Sequence, residues 1–320
     1  MRILITGGRG FIGGRTALYL KEKYPNSDIT ITTTKNEDLP AWCSAFNTLN
    51  MSLSDEQSIK HAVEGADAIV HLAALNEIDS MREPVSAIRI NAEGTFRLLR
   101  AAFEYGVRNF IYFSTIHVYG ENLALPLITE DTPIRPYHPY ATTHAAAEGF
   151  VDQFRRYNAM NTVIFRLSNA YGAPADMAVN RWSLVFNDLC RQAVTHKSLT
   201  LKSSGRQYRD FISMHDVTRA VGHFIYELKD GWGDGLFNLG GECPMTILEA
   251  AGRVARVYKE TYGREISEIR VGEAAVPEAF LNPTNYSIEK IKETGFQLEG
   301  GMDDEIRRCL SLCEGFVECA

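Results

Sequence analysis

Short apolar, β-branched runs alternate with longer segments of helical spacing through the first half of the chain. The predicted strands are residues 3–6, 29–33, 68–72, 109–113 and 162–166. The predicted helices between them are residues 11–24, 55–64, 84–105 and 140–157. Strands that are apolar almost throughout are typical of a parallel sheet covered by helices on both faces. The pattern therefore predicts an α/β fold with a doubly wound parallel sheet.

This alternation loosens after about residue 170, where loops rich in Pro, Gly and Asn appear at 172–176, 203–206 and 282–285. We expect residues 1–170 to form the sheet domain. Residues 171–320 are expected to form a smaller, mixed region over its carboxyl edge, with segments that return to the first domain.

Composition narrows the possible partners and the location. A formal net charge of −7 argues against nucleic acid or an anionic membrane as the main partner. The first predicted strand follows Met1 directly, and no apolar run approaches the roughly 18 residues of a transmembrane helix, so neither a signal peptide nor a membrane span is expected. The 6 cysteines are scattered, which favours reduced thiols, a cytoplasmic location and no metal site.

A glycine-rich turn joins the first predicted strand to the first predicted helix, in the sequence Thr6-Gly7-Gly8-Arg9-Gly10-Phe11-Ile12-Gly13. Glycines here let backbone N–H groups approach a pyrophosphate, and the helix N-terminus behind them favours its negative charge. The position of the turn, after a strand and before a helix, makes it strong evidence for a dinucleotide site. We therefore predict a Rossmann-type dinucleotide-binding domain over residues 1–170.

The end of the second predicted strand bears on which dinucleotide is bound. A site for NAD usually has an acid there, to hold the ribose 2′-hydroxyl, whereas this strand ends Thr33-Thr34-Lys35. Thr33, Lys35 and Arg9 are candidates to receive a 2′-phosphate. NADP is therefore the preferred cofactor, NAD remains possible, and the alternative is that Lys35 and Arg9 are solvated surface cations.

The G-x-x-G-x-x-G spacing, with Phe11 and Ile12 between its last glycines, resembles the extended short-chain dehydrogenase/reductase superfamily, in particular the NAD-dependent epimerase/dehydratase family that modifies nucleotide sugars. Further segments of similar sequence are His71-Leu72-Ala73-Ala74, Asn91-Ala92-Glu93-Gly94-Thr95, 114–120, Pro139-Tyr140, 166–172 and 209–216. The resemblance implies cofactor contacts from Gly7, Gly10, Phe11, Ile12, Gly13, Leu72, Ala73 and Ala74. It also implies a mainly substrate-binding role for residues 171–320.

In such proteins a Ser or Thr and a Tyr-x-x-x-Lys helix form the catalytic site. The matching segments here assign the hydroxyl role to Thr115 and the proton-accepting role to Tyr140, while His144 replaces the lysine. A cation about 4 Å away, at an effective dielectric near 20, stabilises a tyrosinate by about 4 kcal/mol. A histidine of ordinary pKa supplies only part of this at neutral pH. Either Tyr140 is weakly activated or the surroundings keep His144 charged, and His144 is also a candidate to contact the nicotinamide ribose.

His117 stands where related 4,6-dehydratases carry a glutamate base and GDP-sugar epimerase-reductases carry a cysteine. It is a candidate to exchange a proton at the sugar C5 beside a transient 4-ketone; the alternative is a spacer that faces away from the site. Ile116-His117 replaces the Asp-Glu pair of 4,6-dehydratases, which argues against their standard mechanism.

Two further residues are candidates for the substrate side. Arg209 matches the family arginine that holds a nucleotide-sugar diphosphate, a task that suits the paired donors of a guanidinium. Asn169 matches a position that meets the diphosphate or the sugar. Their alternatives are a surface salt bridge and a loop cap. The second family arginine is not evident, and Phe280-Leu281-Asn282-Pro283 lies roughly in its place.

The preferred function is an epimerase or related enzyme that acts on a nucleotide-diphosphate sugar through a 4-keto intermediate. The alternatives are an NADPH-dependent 4-keto-sugar reductase and a catalytically weakened dinucleotide-binding protein. The helices at 84–105 and 140–157 resemble those that pair in family dimers, so a homodimer is expected. Its apolar surface would come from Phe96, Leu99, Ala102, Phe103, Ala147, Phe150, Val151 and Phe154.

Overall fold

Strands and helices alternate along the chain in the computed structural model, which describes residues 1–34, 39–228, 231–277 and 280–318. The strands are β1 (Arg2–Thr6), β2 (Asp28–Thr33), β3 (Asn47–Asn50), β4 (Ala68–His71), β5 (Asn109–Thr115), β6 (Leu127–Ile128), β7 (Asn161–Leu167), β8 (Asn169–Tyr171), β9 (Leu199–Thr200), β10 (Tyr208–Ser213), β11 (Leu236–Leu239), β12 (Pro244–Thr246), β13 (Ile269–Arg270) and β14 (Asn285–Tyr286).

The α-helices cover both faces of the sheet and build most of the C-terminal region. They are α1 (Phe11–Lys23), α2 (Glu56–Val63), α3 (Glu77–Arg82), α4 (Pro84–Ala87), α5 (Thr95–Glu104), α6 (Pro139–Arg156), α7 (Val185–His196), α8 (Met214–Gly222), α9 (Ile247–Tyr262), α10 (Glu289–Lys292), α11 (Met302–Cys313) and α12 (Gly315–Glu318). Short 3₁₀ segments occupy Ala41–Ala45 and Ile116–Ala124, and π-helical segments occupy Ile88–Gly94 and His223–Glu227.

Seven parallel strands of the described chain form one sheet in the order β11-β7-β5-β4-β1-β2-β3. The chain builds β1, β2 and β3 outwards in one direction and then crosses back to add β4, β5, β7 and β11 in the other. The carboxyl ends of β1 and β4 therefore flank a topological switch point, which is where open α/β sheets bind ligands. This architecture confirms the predicted doubly wound parallel fold.

The five predicted strands are all present, with ends shifted by no more than two residues. Two strands of the seven-stranded sheet were not predicted, β3 and β11, and both lie at its edges. β3 reads Asn-Thr-Leu-Asn, which carries no apolar run because an edge strand is not enclosed on all sides. β11 is only four residues long, and through it the second half of the chain returns to the main sheet beside β7.

The helix predicted at 84–105 is a continuous helical run made of α4, the π segment and α5. The π segment widens the backbone at Asn91, whose side chain is fully buried. Such single π turns within α-helices are frequent at functional sites. The short helix α3, just before this run, was not predicted.

Buried apolar side chains form separate clusters on the two faces of the sheet and within the C-terminal region. On one face, residues of β1, β2 and β7 pack against α1 and α8. On the other face, α2, α5 and α6 cover the sheet. A third cluster joins α7, α9 and α11. None of the helices in the described part of the chain combines the length and apolar character that crossing a membrane requires.

Candidate active site

The glycine turn between β1 and α1 is packed too tightly for side chains. Gly7 has a φ of +65°, and a Cβ there would lie 2.9 Å from the backbone nitrogen of Ala73. A Cβ on Gly13 would lie 2.3 Å from the carbonyl oxygen of Gly7, so the helix approaches the turn closely only because residue 13 has no side chain. Gly10 caps α1 without a side-chain hydrogen bond, which leaves the first amides of the helix, including those of Phe11 and Ile12, able to bind an anion.

The residues proposed to choose the dinucleotide lie where this turn meets β2. The Gly8 amide donates to the carbonyl of Thr32 at 3.1 Å, which places Arg9 beside the end of that strand. Arg9 is half-buried, and its Nη1 is a buried nitrogen with no hydrogen-bond partner in the described chain. Thr33 ends β2 and is half-buried. Lys35 lies outside the described residues.

A buried hydroxyl holds the loop after β4 against the turn. Thr6 Oγ1 accepts hydrogen bonds from the amides of Leu72 at 3.1 Å and Ala73 at 3.2 Å. Its own hydrogen points to His71 Nδ1 at 2.6 Å, so His71 carries its proton on Nε2 and donates it to Thr95 at 2.9 Å. Burial lowers the pKa of His71 to about 3, which keeps the ring neutral. The backbone at Leu72 and Ala73 is thereby fixed over Gly7, with Ala74 exposed beside it.

The π segment connects this loop to helix α6. Asn91 Oδ1 accepts from the amide of Leu75 at 2.8 Å, while Asn91 Nδ2 donates to Thr143 Oγ1 at 3.1 Å. The side chain therefore bridges a loop of the dinucleotide site and the helix that carries the catalytic candidates. The extra residue in the π turn gives Asn91 room to reach both partners.

Thr115, Tyr140 and His144 come together as predicted from the sequence. Thr115 ends β5, and its hydroxyl lies close enough to Tyr140 to lower the pKa of that phenol. The His138 side chain caps α6 by accepting a hydrogen bond from the Tyr140 amide. Pro139 occupies the first helical position, where an N–H would have no partner within the helix. One turn later, His144 lies with its ring centroid 4.5 Å from that of Tyr140.

The surroundings of this cluster favour the neutral form of Tyr140 over its phenolate. Burial, together with the negative charge of Glu77, raises the pKa of Tyr140 to about 12, and Arg181 and Thr115 offset only part of this. Burial, with a smaller contribution from His117, lowers the pKa of His144 to about 3. The imidazole is therefore neutral and places no positive charge beside Tyr140.

A buried ion pair between Glu148 and Arg166, which the sequence analysis did not identify, fixes helix α6 against the sheet. Glu148 lies one turn beyond His144, and its Oε2 accepts from Arg166 Nη2 at 2.8 Å. Glu148 also accepts from Ser114, next to Thr115, and Arg166 donates to Tyr119 at 3.0 Å. The pair therefore sets the register of α6 against β5 and β7. The only signal in the sequence is the spacing of Glu148 from Tyr140 and His144, four residues at a time along one helix face.

The predicted substrate residues line one pocket of about 120 Å³ beside this cluster. His117, Asn169 and Arg209 all contribute to its wall. The His117 ring lies 6.5 Å from the Tyr140 ring, which joins the pocket to the catalytic cluster. His117 has an exposed surface, but the pocket walls crowd its ring, and this desolvation and the charge of Arg209 lower its pKa.

Arg209 is held in the pocket without an ion pair to any acid that the structure describes. Its guanidinium stacks on Phe280 at 4.9 Å and donates to the carbonyl of Tyr208 at 3.1 Å. Desolvation lowers its pKa. The neighbouring Asp210 accepts from the amides of Gly241 and Cys243, both at 2.9 Å, and so is occupied with the loop behind the pocket. A half-buried guanidinium that lines a pocket and forms no ion pair among the described residues is suited to an anionic ligand.

Another ion pair crosses from the sheet domain to the second half of the chain. Arg181 Nη2 lies 3.3 Å from Glu77 Oε2, and Glu77 begins helix α3. The Glu77 carboxylate raises the pKa of Tyr140, and the Arg181 guanidinium lowers it. The two residues are 104 positions apart in the sequence, which explains why no local pattern revealed them.

Comparisons with known proteins agree with this geometry. Residues 3–240 match the model of the NAD dependent epimerase/dehydratase family. The chain is 31% identical over 286 residues to the dTDP-D-glucose 4,6-dehydratase of Mus musculus, covering 83% of this chain and 76% of that protein. Nucleotide-sugar dehydratases and epimerases are prominent among the matching proteins, and this finding does not favour the reductase or the weakened binding protein.

Two solved structures share the fold over nearly the whole chain. UDP-glucose 4-epimerase of Thermotoga maritima, solved with UDP-glucose, superposes with a TM-score of 0.83 and 22% identity, covering 99% of this chain and 100% of that one. RMD of Pseudomonas aeruginosa, solved with NADPH, has a TM-score of 0.79 and 22% identity and covers 98% of both chains. With its turn, its cluster and its pocket on the Rossmann scaffold, this chain belongs to the NAD-dependent epimerase/dehydratase family.

Proposed function

We propose that the protein is an epimerase or related enzyme that acts on a nucleotide-diphosphate sugar through a 4-keto intermediate, with a nicotinamide dinucleotide as cofactor. The observation that carries the proposal is the adjacency of two groups of residues. Thr115, Tyr140 and His144 meet at the carboxyl edge of the sheet, and the pocket that contains His117 and Arg209 opens beside them.

The turn and helix α1 fit the phosphates of a dinucleotide. The close packing at Gly7 and Gly13 keeps side chains out of the turn, and the uncapped amides of α1 provide donors. A bound nicotinamide would supply hydride acceptance and return at the sugar C4. His144 Nε2, buried and without a partner in the described chain, is suited to a ribose hydroxyl.

Tyr140 would take the proton of the sugar C4 hydroxyl, with Thr115 holding that hydroxyl in place. Because the pKa of Tyr140 is raised to about 12, only a small fraction is ionised at neutral pH. His144 is neutral and contributes a hydrogen bond rather than a charge. The protein therefore positions the proton transfer well and activates it weakly.

His117 would move a proton at the sugar C5, next to the 4-keto group. Its lowered pKa leaves the imidazole neutral and able to act as a base at neutral pH. The 4-keto group makes the C5 proton acidic, so a histidine is basic enough to remove it. Return of a proton to C5 would give an epimer, and Ile116 supplies no second acid for the loss of a 6-hydroxyl.

Arg209 would hold the diphosphate, and Asn169 would meet the diphosphate or the sugar. The support is the Arg209 guanidinium in the pocket, which forms no ion pair with the acids that the structure describes, and the place of Asn169 on the same wall, where its Nδ2 donates to the Asp210 carbonyl at 2.9 Å. This arrangement supports the proposed division of the chain. Residues 1–170 would bind the dinucleotide, and residues 171–320 would mainly bind the substrate, with β11 returning to the sheet.

NADP is the proposed form of the cofactor, with Arg9 as the main phosphate contact. Its buried Nη1 has no hydrogen-bond partner among the residues that the structure describes and can donate to a phosphate oxygen, and β2 ends in Thr33 rather than an acid. Arg9→Gln should weaken NADPH binding about 10-fold or more, through loss of a charge-assisted hydrogen bond, and change NADH binding little. Equal effects on both dinucleotides would refute the preference for NADP.

A homodimer through α5 and α6 is the proposed assembly. Of the residues predicted for this interface, Leu99, Ala102, Ala147 and Val151 are buried within the chain. The four phenylalanines instead form an open aromatic cluster: Phe96 lies 5.2 Å from Phe150 and 6.3 Å from Phe154, and Phe103, 53% exposed, lies 6.2 Å from Phe154. An exposed apolar cluster of this kind marks an interaction surface. Phe103→Glu should shift the molar mass in light scattering from dimer to monomer.

A cytoplasmic location is also proposed. It is supported by the free thiols of Cys43, Cys190, Cys243, Cys309 and Cys313, since such cysteines usually persist in a reducing compartment.

The first experiment is to denature the purified protein and identify any released dinucleotide and nucleotide sugar by mass spectrometry. Stoichiometric dinucleotide would support a retained cofactor that is recycled within one site, as an epimerase requires. An empty protein that binds added NADPH would favour the reductase. An empty protein that binds neither NADPH nor NADH would refute the proposed function.

A further inference from the structure

Tyr112, on strand β5, is in direct contact with the ring of His144. Its hydroxyl oxygen lies 2.7 Å from His144 Nδ1, and the two rings lie 5.8 Å apart at an interplanar angle of 30°. Both side chains are buried, each with 3% of its surface exposed. Tyr140 contacts the same imidazole, so His144 is held between two tyrosines, one on β5 and one on its own helix.

The direction of the Tyr112–His144 hydrogen bond follows from which groups would be left without partners. Burial raises the pKa of Tyr112 well above its ordinary value, so the phenol keeps its hydrogen. Within the described chain, His144 Nδ1 is the partner found for that hydroxyl. If Nδ1 carried the proton and donated it, the phenol hydrogen and the Nε2 lone pair would both remain unsatisfied. If the phenol donates to Nδ1, only one group, an Nε2–H, remains to be satisfied.

We propose that Tyr112 is a positioning residue that holds His144 as its Nε2–H tautomer and thereby presents an N–H donor to an oxygen of the bound dinucleotide. The inference rests on the proposed function for the identity of the acceptor. It does not rest on it for the tautomer, which follows from contacts within the protein. Without the Tyr112 hydroxyl, the imidazole could adopt either tautomer, and one of them offers a lone pair where the ligand needs a donor.

The unliganded protein provides the first test, through the nitrogen-15 chemical shifts of the His144 ring. We expect the wild type to show a protonated Nε2 and an unprotonated Nδ1, and Tyr112→Phe to show a mixture of tautomers. Tyr226→Phe is the control, because it removes a hydroxyl that is hydrogen-bonded to Ser27 and lies on the opposite face of the sheet from α6. A wild-type ring protonated on Nδ1, or a Tyr112→Phe ring unchanged from wild type, would overturn the proposal. A wild-type ring protonated on Nδ1 overturns the proposal even if the variant fails to fold.

Dinucleotide binding provides the second test, through a double-variant cycle measured by calorimetry. We expect Tyr112→Phe to weaken binding of the dinucleotide about 10-fold, the effect of one poorly placed hydrogen bond, and to leave nucleotide-sugar binding within about 2-fold. In a His144→Ala background the same substitution should change dinucleotide binding by less than about 2-fold, because there is no ring to orient.

An equal loss in both backgrounds would show that Tyr112 acts on the fold and would overturn the proposal. If the wild type binds no dinucleotide at all, the proposed function fails instead, and the tautomer measurement still decides the role of Tyr112.

Discussion

Replacing His144 by lysine tests whether the active site lacks a charge. The imidazole is neutral because burial lowers its pKa to about 3, while the pKa of Tyr140 stands near 12. A lysine at this position would place an ammonium against the Tyr140 ring, with the Tyr112 oxygen available to accept one of its hydrogen bonds. We expect His144→Lys to raise activity.

The magnitude follows from Coulomb's law. Taking the ring separation of 4.5 Å as the distance between charges and an effective dielectric near 20, the attraction is about 3.7 kcal/mol, or about 2.7 pKa units. The pKa of Tyr140 would fall to about 9.3, and the ionised fraction at pH 8 would rise from about 1 in 10,000 to about 1 in 20. Desolvation of the buried ammonium lowers its own pKa and reduces this gain, so an increase in kcat of about 10-fold or more is expected.

The assay is the pH dependence of kcat with an accepted nucleotide sugar, combined with titration of the Tyr140 ring by carbon-13 NMR. A rate that requires the phenolate rises with pH through the Tyr140 pKa, and the added cation should move this rise to lower pH by about two to three units. His144→Met is the control, since methionine has a similar length and no charge, and it should leave the rise where it is.

A lysine variant whose pH profile and Tyr140 titration match those of the methionine variant would refute the electrostatic argument. A lysine variant that is less active than wild type, while its Tyr140 pKa has fallen as expected, would show that the histidine has a catalytic task of its own. Thermal midpoints of all variants show whether the fold is retained.

Three further predictions concern the surrounding structure. Glu148→Gln should lower the free energy of unfolding by about 3–5 kcal/mol, because it leaves the Arg166 charge buried and uncompensated; urea denaturation measures this, and a double Glu148→Gln/Arg166→Met variant should lose less. His71 and His144 stay neutral in the folded state down to about pH 3, whereas the unfolded chain protonates them below about pH 6.5, so stability should fall as pH falls. Protonation of each ring in the unfolded chain should lower the free energy of unfolding at pH 5 by about 2 kcal/mol relative to pH 8. His144→Gln should therefore reduce the difference between the two pH values by about 2 kcal/mol. Arg209→Gln should weaken nucleotide-sugar binding by about 10- to 100-fold in calorimetry and leave dinucleotide binding unchanged; a loss of both would place Arg209 outside the diphosphate site.

The parts of the fold that were predictable from the sequence are those whose burial leaves a local pattern. The five inner strands are enclosed on both faces and therefore read as apolar runs, and the long helices repeat apolar residues at regular spacing. The edge strand β3 is mostly polar and not fully buried, and the edge strand β11, although largely buried, is only four residues long. The six-residue helix α3 begins with a capping asparagine but is too short to show a period.

The same distinction applies to the active site. Thr115, Tyr140 and His144 were predictable because each belongs to a short motif at the end of a strand or the start of a helix. Tyr112 and Glu148 act through partners 32 and 18 positions away, and no local pattern encodes such contacts. The protonation states were also out of reach, since they depend on burial that only the folded chain defines.

The place of Tyr140 in the first turn of α6 has a consequence for a site with so little charge. The aligned peptide dipoles of this 18-residue helix give its N-terminus a partial positive charge, within the turn that carries the phenol. This macrodipole favours the phenolate by about 0.3–1 kcal/mol and disfavours an imidazolium at His144, one turn further on. Helix α6 thus provides a small part of the field that a lysine would supply, and it does so without a titrating group, so this contribution persists at every pH at which the helix is folded.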